Sequence, residues 1–245
     1  MSKFFVSKNQ IGEKTATVTG SDVSHIARVL RLGVGDDLLL CDGEGYDYEV
    51  KIIACSKEKI EAEILKSYPC QNEPETKVTL FQGLPKQGKM EWIIEKCTEM
   101  GISTIVPVQM TRSVVKLSPE QADKKLERWQ KTAQEAAKQC GRGIVPKVMM
   151  PVSIPELKQE DLPEFLLFPY EAEKARPVKD ALQSAKVKTA GIFIGPEGGF
   201  TPEEAEILEK LGAHTVSLGP RILRTETAGL VSLATLLYEW NEMQC

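Results

Sequence analysis

Two short strings hold the residues whose types and spacing could do chemistry. Gly195-Pro-Glu-Gly-Gly-Phe200 is followed, about twenty residues on, by Leu218-Gly-Pro-Arg-Ile-Leu-Arg-Thr-Glu-Thr-Ala228. Each lies on the C-terminal side of a short apolar run and each opens a helix. Glycines at 195, 198 and 199 permit positive φ and let main chain approach a ligand with no Cβ between them. The helix opened by the second string presents unpaired N–H groups and a positive dipole end, which favour an anionic group. Glu197 and Glu226 could accept a proton, and Arg224 could orient or stabilise a developing anion. Such a set suits recognition of a small ligand by backbone, with proton transfer or charge stabilisation beside it. The same strings also fit ordinary strand-to-helix loops. An acidic residue in a first helical turn is favoured by the dipole alone, and Arg221 and Arg224 could equally be salt-bridged packing residues.

The elements that must position these strings can be read from the flanking pattern. The apolar run at 190–194 predicts a buried strand. Thr201-Pro-Glu-Glu204 then supplies an N-cap, a proline at the first helical position and a capping glutamate. A second strand is predicted at 214–218 and an apolar helix over 225–240, with Thr225 as its cap. From residue 77 onward strands (78–82, 104–108, 147–150, 164–168) alternate with helices (88–100, 119–139, 178–185). That order implies a largely parallel sheet covered on both faces. Residues 1–72 read as mostly β, with runs at 37–41, 46–54 and 59–66 and one short helix over 22–30 capped by Ser21, which suggests a small barrel. Tyr68-Pro-Cys-Gln-Asn-Glu-Pro-Glu75 carries two prolines and polar spacers, so two domains are predicted, 1–72 and 73–245.

Composition narrows the function classes. The chain has 245 residues, 42% hydrophobic and 27% charged, as in soluble globular proteins. No run approaches a membrane span, and the N-terminus lacks a secretory h-region, so a cytoplasmic location is expected. Six cysteines are scattered without a Cys-x-x-Cys, and His25 and His214 are the only histidines, so no metal site is expected. Neither dinucleotide-binding nor P-loop glycine patterns occur, nor Gly-x-Ser-x-Gly. The net charge is −4, yet residues 76–149 carry 13 Lys/Arg against 7 Asp/Glu. That stretch could meet phosphates, where counterion release drives affinity, or could be a solvated helix face.

Together the two glycine-rich strings resemble the knotted, S-adenosylmethionine-dependent RNA methyltransferases of the SPOUT superfamily. More narrowly they resemble the ribosomal small-subunit RNA methyltransferase E family, which methylates N3 of a uracil in 16S rRNA. The likeness extends through His25-Ile-Ala-Arg-Val-Leu-Arg-Leu-Gly-Val-Gly-Asp36, through Leu84-Pro-Lys-Gln-Gly-Lys-Met-Glu-Trp-Ile-Ile-Glu-Lys-Cys-Thr-Glu-Met-Gly101, and through Arg128-Trp to Arg142. It implies an α/β fold with a trefoil-knotted methyltransferase domain preceded by a small PUA-like β-barrel that binds RNA, and a homodimer. S-adenosylmethionine would be held by Leu167, Phe168 and Pro169; by Gly195, Pro196, Glu197, Gly198 and Gly199; and by Leu218, Gly219, Ile222, Leu223, Arg224, Thr227 and Ala228. Arg224, Glu197 and Glu226 become the catalytic candidates. His25, Arg28 and Arg31 in the first domain, with Lys86, Lys89, Arg112 and Arg142, become the RNA contacts, although a lone helical His25 also fits a packing residue. Ribose 2′-O-methylation of RNA and a non-catalytic RNA-binding assembly factor remain as alternative functions.

Overall fold

The computed structural model describes residues 3–86, 88–183 and 187–243. The chain divides into two compact units, residues 1–73 with 137–145, and residues 74–136 with 146–245.

In the first unit β1 (Lys3–Phe5), β2 (Thr15–Thr19), β3 (Asp37–Cys41), β4 (Tyr46–Cys55) and β5 (Lys59–Pro69) form one sheet in the order β1-β3-β4-β5-β2. Only the β1–β3 pair is parallel. Alternation on the strands sends Val50, Ile52, Ile60 and Ala62 inward, where they pack with Phe4, Val18, Ile26 and Leu40. The two bulged register shifts of β4 against β5 bend the pair. The helix predicted over 22–30 with Ser21 as cap is instead a short α1 (Ser21–Ser24) that runs into a π-helical turn over His25–Val29, and its N-cap is Gly20. Residues 137–145 join this unit through Glu73, whose carboxylate accepts hydrogen bonds from the main-chain N–H groups of Gly143 (2.8 Å) and Ile144 (3.0 Å).

The second unit is built on a six-stranded sheet. Its strands are β6 (Lys77–Gly83), β7 (Thr104–Val108), β8 (Lys147–Val148), β9 (Phe165–Pro169), β10 (Thr189–Ile194) and β11 (His214–Val216). Their order is β11-β9-β10-β6-β7-β8, and every pairing is parallel. The interleaved helices are α2 (Lys89–Glu99), α3 (Pro119–Cys140), α4 (Val178–Gln183), α5 (Pro202–Lys210) and α6 (Thr225–Glu239). The last residues of the helix expected over 178–185 lie outside the described residues. Two apolar clusters account for the near-continuous hydrophobic runs of the central strands. One gathers Leu80, Ile192 and Ile194 with Ile93 of α2 and Leu233 and Leu236 of α6; the other gathers Phe81, Phe168, Phe193 and Phe200. Because all strands run the same way, the loops leaving the ends of β9, β10 and β11 share one edge of the sheet, where open α/β folds bind ligands.

Candidate active site

A cavity of about 940 Å³ opens among those three loops. Pro169 comes from the first loop, residues 195–199 from the second, and Leu218, Gly219, Ile222, Leu223, Arg224 and Ala228 from the third and the start of α6. The structure thus brings together most of the residues expected around a cofactor. Leu167 and Phe168 are instead fully buried; Phe168 stacks on Tyr170 at 5.2 Å and meets Phe200 edge-on at 4.7 Å. Thr227 lies off the wall with its N–H donated to the Arg224 carbonyl. Tyr170, in the loop expected to grip the cofactor, is on the wall as well; sequence reasoning missed Glu171, just after the strand, and Pro177, just before α4.

The second loop is fixed by groups far away in sequence. Of its three glycines only Gly199 has positive φ (66°), which corrects the expectation for Gly195 and Gly198. At Gly198 a Cβ would sit 2.9 Å from the Arg112 Cβ, so glycine serves close packing there. Arg112 Nη1 donates to the carbonyls of Gly198 (3.1 Å) and Phe200 (2.8 Å). This side chain therefore clamps the loop, where sequence had placed it against RNA. Past the loop the expected capping box is present, with Glu204 N–H donating to Thr201 Oγ1 (3.2 Å) and Thr201 N–H donating to Glu204 Oε2 (2.9 Å).

Lys89, another expected RNA contact, is committed as well. At the start of α2 it lies 3.0 Å from Glu197 Oε1 and 3.1 Å from Glu226 Oε2, tying the second loop to α6. Glu197 also accepts the Lys86 N–H at 3.1 Å. Partial burial pushes the Glu197 carboxyl up, but its own N–H, Lys89 and Lys86 outweigh it and hold the group below the usual carboxylate range. Glu226 shows the same balance, burial against its own N–H, Lys89 and Arg224. Both are thus ionised and weakly basic. Depressed carboxylates stabilise the fold fully above the ordinary range, and lose that effect as pH falls through their folded values. Lys89→Met is expected to lower the thermal midpoint at about pH 7, and the gap to wild type should narrow as pH falls below the ordinary carboxylate range and through the depressed folded values. A gap that stayed constant across a melting series would show that the ion pairs add nothing.

Thr225 is not the cap that sequence suggested. Arg224 takes the N-cap position with extended backbone, and the Thr225 hydroxyl points into the unit, donating to the Gly195 carbonyl at 2.6 Å and accepting from Gln82 Nε2 at 2.9 Å. Arg221 and Arg224 are exposed and, among the described residues, lie within 4.0 Å of no carboxylate, so the packing alternative finds no partner. Arg142 is 3% exposed in the first unit, its Nη2 2.6 Å from Glu73 Oε2. Burial and pairing remove it from the RNA-facing candidates. His25, Arg28 and Arg31 are exposed; the His25 ring meets Phe4 edge-on at 5.8 Å, and Arg31 adopts φ 58°.

No cluster of three or more His, Cys, Asp or Glu suited to a metal occurs among the described residues, and no described helix is long and apolar enough to cross a membrane. Residues 72–237 match the RNA methyltransferase domain family, and residues 18–65 match the RNA methyltransferase PUA domain. The chain is 39% identical to the ribosomal RNA small subunit methyltransferase E of Bacillus subtilis, over 98% of this chain and 97% of that one. It is 35% identical to the protein of that name from Synechocystis, over 96% and 76%. The crystal structure of the Neisseria gonorrhoeae ribosomal RNA small subunit methyltransferase E bound to S-adenosyl methionine superposes with a TM-score of 0.84 at 30% identity, covering 98% of each chain. With a PUA-like first unit, a parallel α/β second unit and these relatives, the chain is an rRNA methyltransferase and belongs to the ribosomal RNA small subunit methyltransferase E family.

Proposed function

We propose that this protein transfers a methyl group from S-adenosylmethionine to N3 of one uridine in the 16S rRNA of the small ribosomal subunit, in the cytoplasm. The observation that carries the reading is the cavity at the shared strand edge, whose size suits a nucleoside joined to an amino acid. Among the described residues the main-chain groups of Leu218, Ile222 and Leu223 make no hydrogen bond, which leaves them for a ligand. These groups, with the loop at 195–199, would hold the cofactor while the apolar side chains of Leu218, Leu223 and Ala228 pack against it. When bound, S-adenosylmethionine supplies a methyl group on a positively charged sulfur.

The acceptor nitrogen carries a proton at neutral pH. Arg224, exposed on the cavity wall and with no carboxylate within 4.0 Å among the described residues, is the group we assign to hold the imide edge and stabilise its deprotonated form. Glu197 and Glu226, paired to Lys89, hold the site together and accept the proton less well than ordinary carboxylates. His25, Arg28, Arg31 and Lys86 remain as the RNA contacts. The reading includes a first domain over 1–72 that binds RNA, a knotted methyltransferase domain over 73–245, and a homodimer. Exposed Trp92 on α2 and Tyr238 on α6 support the dimer, which sedimentation equilibrium tests.

The test is to incubate the protein and labelled S-adenosylmethionine with small subunits from cells lacking the modification, then digest the RNA to nucleosides. Label that stays with the base after glycosidic cleavage is expected. Label on the ribose would replace this reading by 2′-O-methylation, and RNA binding without cofactor binding would leave an assembly factor.

A further inference from the structure

We infer that Gln82 and Thr225 form a buried lock that sets the second loop against the start of α6, and so determine cofactor affinity as positioning residues. The inference rests on the proposed reading of the cavity as the S-adenosylmethionine site.

Gln82 lies near the end of β6 and is 0% exposed; Thr225 begins α6 and is 6% exposed. An amide and a hydroxyl are costly to bury without partners, so where their hydrogen bonds go matters. The Gly195 carbonyl can only accept, so the Thr225 hydroxyl proton is directed to it at 2.6 Å. The Thr225 oxygen is then an acceptor, and Gln82 Nε2 donates to it at 2.9 Å and to the Gly83 carbonyl at 3.0 Å. Both amide protons are thereby used, and the orientation of the Gln82 amide follows from its neighbours. The next residue on β6 repeats the link by contact alone, since a Cβ on Gly83 would lie 2.5 Å from the Pro196 nitrogen.

Three elements that share no sequence neighbourhood are joined in this way. Gly195 and Thr225 both line the cavity, one on each of two walls, whereas Gln82 does not reach it. Gln82 therefore acts on the cofactor indirectly, through the wall residues it holds, and Thr225 is the one it bonds by its side chain. Lys89 with Glu197 and Glu226 ties the same two walls from the more exposed side. The buried lock differs in being directional and short, so it fixes register as well as proximity.

The test measures S-adenosylmethionine binding by calorimetry on the full-length protein, with the thermal midpoint of each variant. Thr225→Val keeps shape but removes the hydroxyl, and affinity is expected to fall by about tenfold or more. Thr225→Ser restores the hydroxyl and should bring affinity back to within about threefold of wild type. Gln82→Met leaves the Thr225–Gly195 bond and should fall between the two. In the double variant Thr225→Val, Gln82→Met the losses should not add. If Thr225→Val does not fold, Gln82→Met and Thr225→Ser still give the ranking. In turnover the KM for the cofactor should rise while the KM for the RNA substrate stays. Wild-type affinity in folded Gln82→Met and Thr225→Val, with only the midpoint lowered, would overturn the lock as a positioning device. A wild-type protein that binds no S-adenosylmethionine would instead remove the reading of the cavity, and the lock with it.

Discussion

Arg224→Lys is expected to lower single-turnover methyl transfer by about a hundredfold, the scale of losing one preorganised oxyanion donor, while S-adenosylmethionine affinity stays within a few-fold of wild type. Arg224 precedes the first turn of α6, is exposed on the cavity wall and is held by no carboxylate ion pair among the described residues. Its guanidinium is free to present a planar fork to the two carbonyls and nitrogen of an imide edge, whereas a lysine ammonium keeps the charge without the fork. The wild-type single-turnover rate should rise with pH above neutrality. Glu197 and Glu226 are held ionised well below that range, so such a rise would come from loss of the imide proton and not from either carboxylate. Near-normal transfer by the lysine variant would take Arg224 out of the chemistry. A flat rate over the pH range in which protein and RNA stay folded would count against rate-limiting deprotonation.

Gly199→Val should abolish cofactor binding with a far smaller effect on the rest of the second unit. Two independent costs fall on one position. The φ of 66° is a conformation that a β-branched residue adopts at a cost of about 1–3 kcal/mol. A Cβ would also lie 2.3 Å from Glu171 Oε1, on the loop after β9. Glu171 is exposed and can swing away, so the clash alone is relieved cheaply, but the backbone strain is not. The loop must therefore leave its conformation, and Arg112, which grips the carbonyls of Gly198 and Phe200, resists any small adjustment. Calorimetry is expected to show no S-adenosylmethionine binding while near-ultraviolet circular dichroism reports a native core. Wild-type affinity in this variant would mean that the loop does not contact the cofactor.

What could be read in advance was whatever local pattern controls. Thr201-Pro-Glu-Glu204 encodes a helix start within four residues, and the structure shows that capping box. The central strands announced themselves because burial on both faces makes them continuously apolar. β1 was missed because three residues carry no period, and β2 because Ala16 and Val18 are its only inward apolar residues. In the site the two glycine-rich strings were visible, but what holds them was not. Thr225 has a capping residue's composition and position, yet a carbonyl 30 residues away captured its hydroxyl. Lys89 and Arg112 looked like free cations because their partners, Glu197 and Glu226 for the one and the carbonyls of Gly198 and Phe200 for the other, are 86 or more positions away in sequence. Gln82 read as a polar strand end and is one of the most buried polar residues in the unit.

The return of residues 137–145 to the first unit has a bearing on heredity as well as on folding. A module encoded in one uninterrupted stretch can pass between genes by a single join, but this one is written in two pieces. Replacing residues 1–73 with the counterpart from a distant relative would bring a foreign residue to position 70, against which Gly143 packs so closely that a Cβ there would lie 2.3 Å from the Cys70 Cβ. It would also put a new residue at position 73 opposite Arg142, whose buried charge depends on Glu73. Shuffling of the front half alone is therefore penalised, and successful chimeras should carry the nine residues 137–145 along with it. The front unit is thus one module recorded in two places along the chain.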